Sequence, residues 1–150
     1  MTPKPFALPA LCAAMMLAGV ATHAQTAAVT IRDAWVREPM GNRNMTGAFV
    51  VVENNTDKPL AIVAASSDIS DKVELHEMKN EGGMMQMSPV SKISVPAHGK
   101  VELKPGSFHV MLFDMKKKVA DGDKIKLTLT LDDGTKLTSD AAVRKPASQR

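Results

Sequence analysis

The chain of 150 residues has one cysteine, Cys12, no tyrosine, one tryptophan and four phenylalanines. A single thiol closes no internal disulfide and cannot furnish the cysteine sets of zinc ribbons or iron–sulfur clusters. The one lysine run, Lys116-Lys117-Lys118, has no aromatic residues interleaved to stack bases, so a nucleic-acid surface is not expected. Beyond the first two dozen residues no segment keeps a helical hydrophobic period. No apolar run has the length and flanks of a membrane span. Gly-x-Ser-x-Gly and the zinc-protease helix motif are absent as well, and no nucleophile–base–orienter pattern is present, which argues against an enzyme.

What is there begins with an export signal. Lys4 precedes an apolar stretch from Phe6 to Ala21, then Thr22-His23-Ala24 and the polar Gln25. Positive start, apolar centre and small residues before a polar step are the features of a secretory signal. Cleavage is expected after Ala24, with Ala21 as the alternative. Cys12 would leave with this segment, and Leu11 before it does not fit a lipoprotein signal, so no lipid anchor is read. Residues 25–150 then form one cysteine-free domain for a disulfide-permissive compartment. Loss of Lys4 lowers the formal charge from +3 to +2. A chain of that size folds without a staple.

The mature part reads as ten short strands: Val29–Val36, Gly47–Glu53, Leu60–Ser66, Lys72–Met78, Met84–Pro89, Ser91–Val95, Lys100–Leu103, His109–Asp114, Lys124–Leu131 and Lys136–Val143. Turn signals such as Glu81-Gly82-Gly83, Pro105-Gly106 and Asp133-Gly134 separate them. Lys124–Leu131 alternates polar and apolar residues, as a half-buried strand does. The pattern points to an all-β sandwich or Greek-key barrel. Trp35 is expected in the core, and Ala147-Ser148-Gln149-Arg150 as a frayed tail.

Three segments pair soft and imidazole donors one residue apart: His76-Glu77-Met78, Met85-Gln86-Met87 and His109-Val110-Met111. On a strand, residues i and i+2 project from the same face, so each segment offers two donors to one surface. Eight methionines remain after the leader, and four of them lie in these segments, with two of the three remaining histidines. Thioether and imidazole without cysteine suit Cu(I) better than zinc, calcium or magnesium. A blue-copper centre, which needs a cysteine ligand, is excluded by the same absence. A hairpin centred between Glu81 and Gly82 would set His76 opposite Met87 and Met78 opposite Met85. A two-residue slip would keep all four on that face, and a one-residue slip would not. Val110 and Leu112, on the opposite face of their strand, are expected to anchor it in the core. Met40 and Met45, in the loop after Trp35, could approach or shield the donors. His98, in a Pro-Ala-His-Gly turn, reads as a turn residue, and Glu77 points away.

The spacing His76, ten residues, Met87, twenty-one residues, His109, one residue, Met111 resembles the signature of the PCu(A)C family of periplasmic copper chaperones. The flanking Val73-Glu74-Leu75-His76-Glu77-Met78, Val101-Glu102-Leu103-Lys104-Pro105-Gly106 and His109-Val110-Met111-Leu112 are similar too, from about Ala34 to Leu131 and beyond. The resemblance implies a cupredoxin-like β-sandwich holding one Cu(I) per chain through His76, Met87, His109 and Met111, with Met78, Met85 and Met40 as possible auxiliaries. It further implies a periplasmic, monomeric chaperone delivering copper for the CuA centre of cytochrome c oxidase, with a Sco-type thiol protein and oxidase subunit II as partners. Alternative readings are general copper storage or tolerance, or an exported interaction module. Leu112-Phe113-Asp114-Met115 departs from the Met-Gly-Leu-type continuation of relatives. No His/Met-rich extension follows, so a second, Cu(II)-type site is not expected.

Overall fold

The computed structural model describes residues 27–146; the leader with Cys12 and the tail Ala147–Arg150 lie outside the described residues. The described residues form ten strands and no helix: β1 (Val29–Arg37), β2 (Thr46–Asn54), β3 (Leu60–Ser67), β4 (Ser70–Glu81), β5 (Met84–Pro89), β6 (Ile93–Val95), β7 (Gly99–Leu103), β8 (His109–Met115), β9 (Lys124–Leu131) and β10 (Lys136–Arg144). Seven strands close a barrel in the order β4-β8-β2-β1-β10-β9-β3, sealed where Ser67 of β3 meets Ser70 of β4. β5, β6 and β7 attach to β4, β3 and β2 respectively. The first and last strands pair in parallel, Trp35 beside Ala142. The architecture is a cupredoxin-like β-barrel.

Period-2 alternation explains the barrel. In Lys124–Leu131 the even-spaced Ile125, Leu127, Leu129 and Leu131 are buried, and their neighbours face outward or sit half-buried. Val36, Ala48, Val50, Val52, Leu75, Val110 and Leu112 join them inside. Each Val or Leu fully buried in this way contributes about 1.5–3 kcal/mol before ordering entropy is subtracted.

Trp35 is not in this core. It lies half-buried on the outer face, its ring 4.4 Å from that of Phe49 and under the Arg144 guanidinium, while Ala34 and Val36 take the inner positions. A bulge causes the difference. Asp33 has φ of 53°, and the β1–β2 register shifts between Arg32 and Trp35. The extra residue reverses which side chains point inward.

Two features position the outer face of β4 and β8. β2 pairs β8 through Thr46–Ala48 and β7 through Val50–Asn54, so the chain between Leu103 and His109 loops out. The β4–β5 hairpin turns on Gly82 and Gly83, with φ of 61° and 85°. Positive φ at both central residues defines a type I′ turn, which glycine enters without strain.

Candidate metal centre

The donors come from three adjacent strands, β5, β4 and β8, and gather on the outside of the barrel wall. His76 stands directly opposite His109 across β4–β8, and Glu74 opposite Met111. Across β4–β5, Met78 faces Met87 and His76 faces Pro89. The expected pairs, His76 with Met87 and Met78 with Met85, are therefore displaced by two residues. The reason is the turn: its centre falls between the two glycines rather than between Glu81 and Gly82. Face parity survives the shift, so His76, Met78, Met85 and Met87 still share a surface. Met85 is carried away from the histidines, opposite Asn80 and 55% exposed.

Val110 and Leu112 are wholly buried and fix β8 from behind. Their outward neighbours His109 and Met111 are also covered, by the loops before β2 and β8 and by the hairpin. A cavity of about 280 Å³ lies over them, lined by Met40, Met45, Phe49, Met78, Met87, His109 and Met111, with Arg37 and Arg43 at its border. His76 is buried and does not itself line the cavity; it stands beside His109 across β4–β8, with ring centroids 5.8 Å apart. Phe49 and Phe113 flank the two imidazoles at 6.3 and 5.9 Å, completing a row of four rings. Met40 thus reaches the cavity and Met85 does not. His98 lies elsewhere, in the turn before β7, hydrogen-bonded to Asp57.

Each imidazole has one nitrogen engaged and one free. His109 Nδ1 donates to the Ser107 carbonyl at 2.9 Å, which leaves Nε2 unprotonated and 3.1 Å from Met87 Sδ. The same carbonyl accepts the Met78 backbone N–H, so one oxygen ties β4 and His109 together. His76 Nε2 donates to Glu74 Oε2 at 2.9 Å. Its Nδ1 is buried and has no hydrogen-bond partner, alone among buried side-chain N and O atoms of the described residues. Such an orphan costs about 1–3 kcal/mol unless something takes its lone pair.

Burial holds the His109 pKa below the ordinary histidine value. The Ser107 bond pulls it the other way, and the nearby His76 and Arg37 charges reinforce the lowering. The lowering favours the neutral imidazole, the form that donates a lone pair. Among the described residues no three His, Cys, Asp or Glu side chains group as a metal site. The donors that do converge are imidazole nitrogen and thioether sulfur, which fit a soft monovalent ion and leave a hard divalent ion short of oxygen ligands.

Sequence reasoning passed over Ser107, Phe49 and Glu74. Glu74 carried a usable signal, since it stands two residues before His76 and must share its face.

The chain is similar in sequence and in fold to several known proteins. The profile of the LpqE-like family, named for LpqE-like lipoproteins, matches residues 29–143. The Leifsonia xyli subsp. xyli protein Lxx21020, named as a lipoprotein, is 33% identical over 134 residues, which span 88% of this chain and 78% of that protein. Among solved structures, Cu(I)-loaded DR1885 from Deinococcus radiodurans is 30% identical, with a TM-score of 0.68 over 85% of each chain. The copper-bound PCuAC domain from PmoF2 is 25% identical, with a TM-score of 0.68 over 80% of this chain and 95% of that domain. The chain belongs to the LpqE-like family, which is the family of the PCuAC domains.

Proposed function

We propose that this protein is an exported, periplasmic Cu(I) chaperone that holds one ion through His76, Met87, His109 and Met111. The observation that carries the reading is the free nitrogen of His109, 3.1 Å from Met87 Sδ, in a cavity that Met111 also lines. The copper bound by DR1885 and by the PmoF2 domain supports it.

Neutral ligands leave the ion its full positive charge, whereas thiolates would compensate it. Copper should therefore move downhill to a cysteine-bearing acceptor. Met87 is the natural first ligand to leave, being 46% exposed on the edge strand β5, while Met111 is 7% exposed. An incoming sulfur can take the vacated position before the histidines let go. Met40 and Met78, at the same cavity, can shelter the ion during exchange. We assign delivery to the CuA centre of cytochrome c oxidase subunit II, in concert with a Sco-type thiol protein, as the role of a single chain. General copper storage is the second reading, favoured if loss of the protein leaves the oxidase intact.

Anaerobic Cu(I) titration of residues 25–150 against a chromophoric competitor tests the proposal. Wild type should take one equivalent, and His109→Ala should lose affinity at least tenfold. A wild type that takes none while folded would make the protein an interaction module instead.

A further inference from the structure

We propose that Glu74 is a positioning residue that fixes His76 as the Nε2–H tautomer and so commits its Nδ1 to the cuprous ion. The inference rests on the proposed function and adds a residue outside the four ligands.

A carboxylate has only acceptors to offer. With Glu74 Oε2 2.9 Å from His76 Nε2, the ring proton belongs on Nε2. The lone pair then sits on Nδ1, the orphaned buried atom, on a residue only 6% exposed. A buried lone pair with no partner is a site awaiting one. His109 has the reciprocal arrangement, with Nδ1–H given to the Ser107 carbonyl and Nε2 turned to Met87. One ring thus offers Nδ1 and the other Nε2, from directly opposed positions on β4 and β8.

Glu74 is itself held. The ammonium of Lys72, two residues earlier on the same face, lies 3.9 Å from Glu74 Oε1 and 4.9 Å from the centre of the Phe113 ring. Phe113 in turn borders His76. Histidine ligands commonly pass their second N–H to a carboxylate or carbonyl, which fixes the ring and makes the ligating nitrogen more basic. Glu74 also brings a negative charge towards a site whose ligands are all neutral.

The test uses the mature chain with ¹⁵N-labelled histidine. Long-range ¹H–¹⁵N correlation of the apo protein should show His76 protonated on Nε2 and bare on Nδ1, and Cu(I) should shift the Nδ1 resonance. Glu74→Gln keeps an acceptor and should keep the tautomer. Glu74→Leu removes it, should mix the tautomers and should weaken Cu(I) binding roughly 10–100-fold. A His76 tautomer unchanged in Glu74→Leu, or a Cu(I) shift on Nε2, overturns the proposal. The apo tautomer is read without copper, so this arm stands even if the ligand set is wrong. The ligand set itself fails if His76→Ala binds Cu(I) like wild type.

Discussion

Met87 and Met111 offer the same thioether to the same cavity, yet their burial separates binding from folding. Met87 is 46% exposed on an edge strand, so truncation to alanine gives up only about half of the 1.5–3 kcal/mol that a fully buried methionine contributes. The expected loss of apo stability is roughly 1 kcal/mol. Met111 is 7% exposed on β8, between β4 and β2, and its truncation should cost about 2–5 kcal/mol. On copper the two should behave alike. Each removes one of two sulfurs, and a tenfold or greater loss corresponds to about 1.4 kcal/mol or more. Urea unfolding of the apo variants gives the first quantity, and anaerobic competition for Cu(I) gives the second. Unfolding of Met87→Ala as ready as that of Met111→Ala, or copper binding by Met87→Ala equal to wild type, would rule this separation out.

Three further expectations follow from the same geometry. The His109 pKa is lowered in the folded protein, so the unfolded chain takes up this proton first as pH falls. The associated stability is fully present above the unfolded value of about 6.5 and is lost below it as pH falls through the folded pKa; thermal melts from pH 8 to 5 would read this, and a midpoint that rises on acidification would contradict it. Cu(I) affinity should hold near neutrality and then fall on acidification by up to about one log unit per pH unit for each histidine ligand; a flat profile down to pH 5 would remove both histidines from the ligand set. Gly82→Ala places a Cβ in open space but at φ of 61°, so backbone strain alone should destabilise the hairpin by about 1–2 kcal/mol, measurable by urea unfolding, and a neutral effect would contradict the type I′ turn.

The strands and the donor face were legible because a half-buried strand announces itself by alternation and i, i+2 parity is unforgiving. His76, Met78, Met87, His109 and Met111 needed no register to be placed on one side of their strands. Register was less accessible. Glu81-Gly82-Gly83 allows two turn centres, and only the demand for positive φ at both central residues selects Gly82-Gly83. Trp35 was misplaced because the Asp33 bulge shifts parity within β1, and neither Asp33 nor its neighbours carry the glycine that often marks a bulge. Closure into a barrel runs through a single paired position, Ser67 with Ser70, which no periodicity encodes. The Ser107 carbonyl escaped notice for a different reason: a backbone oxygen has no residue signature, and one of its two donors, the Met78 N–H, comes from a strand distant in sequence.

X-ray absorption at the copper edge, on the mature chain loaded anaerobically with one equivalent of Cu(I), probes the mixed nitrogen–sulfur ligand set most directly. That mixed set calls for a shell of two nitrogen and two sulfur scatterers in wild type and one sulfur fewer in Met87→Ala. A shell of nitrogen and oxygen alone, or an unchanged sulfur count in that variant, would contradict it.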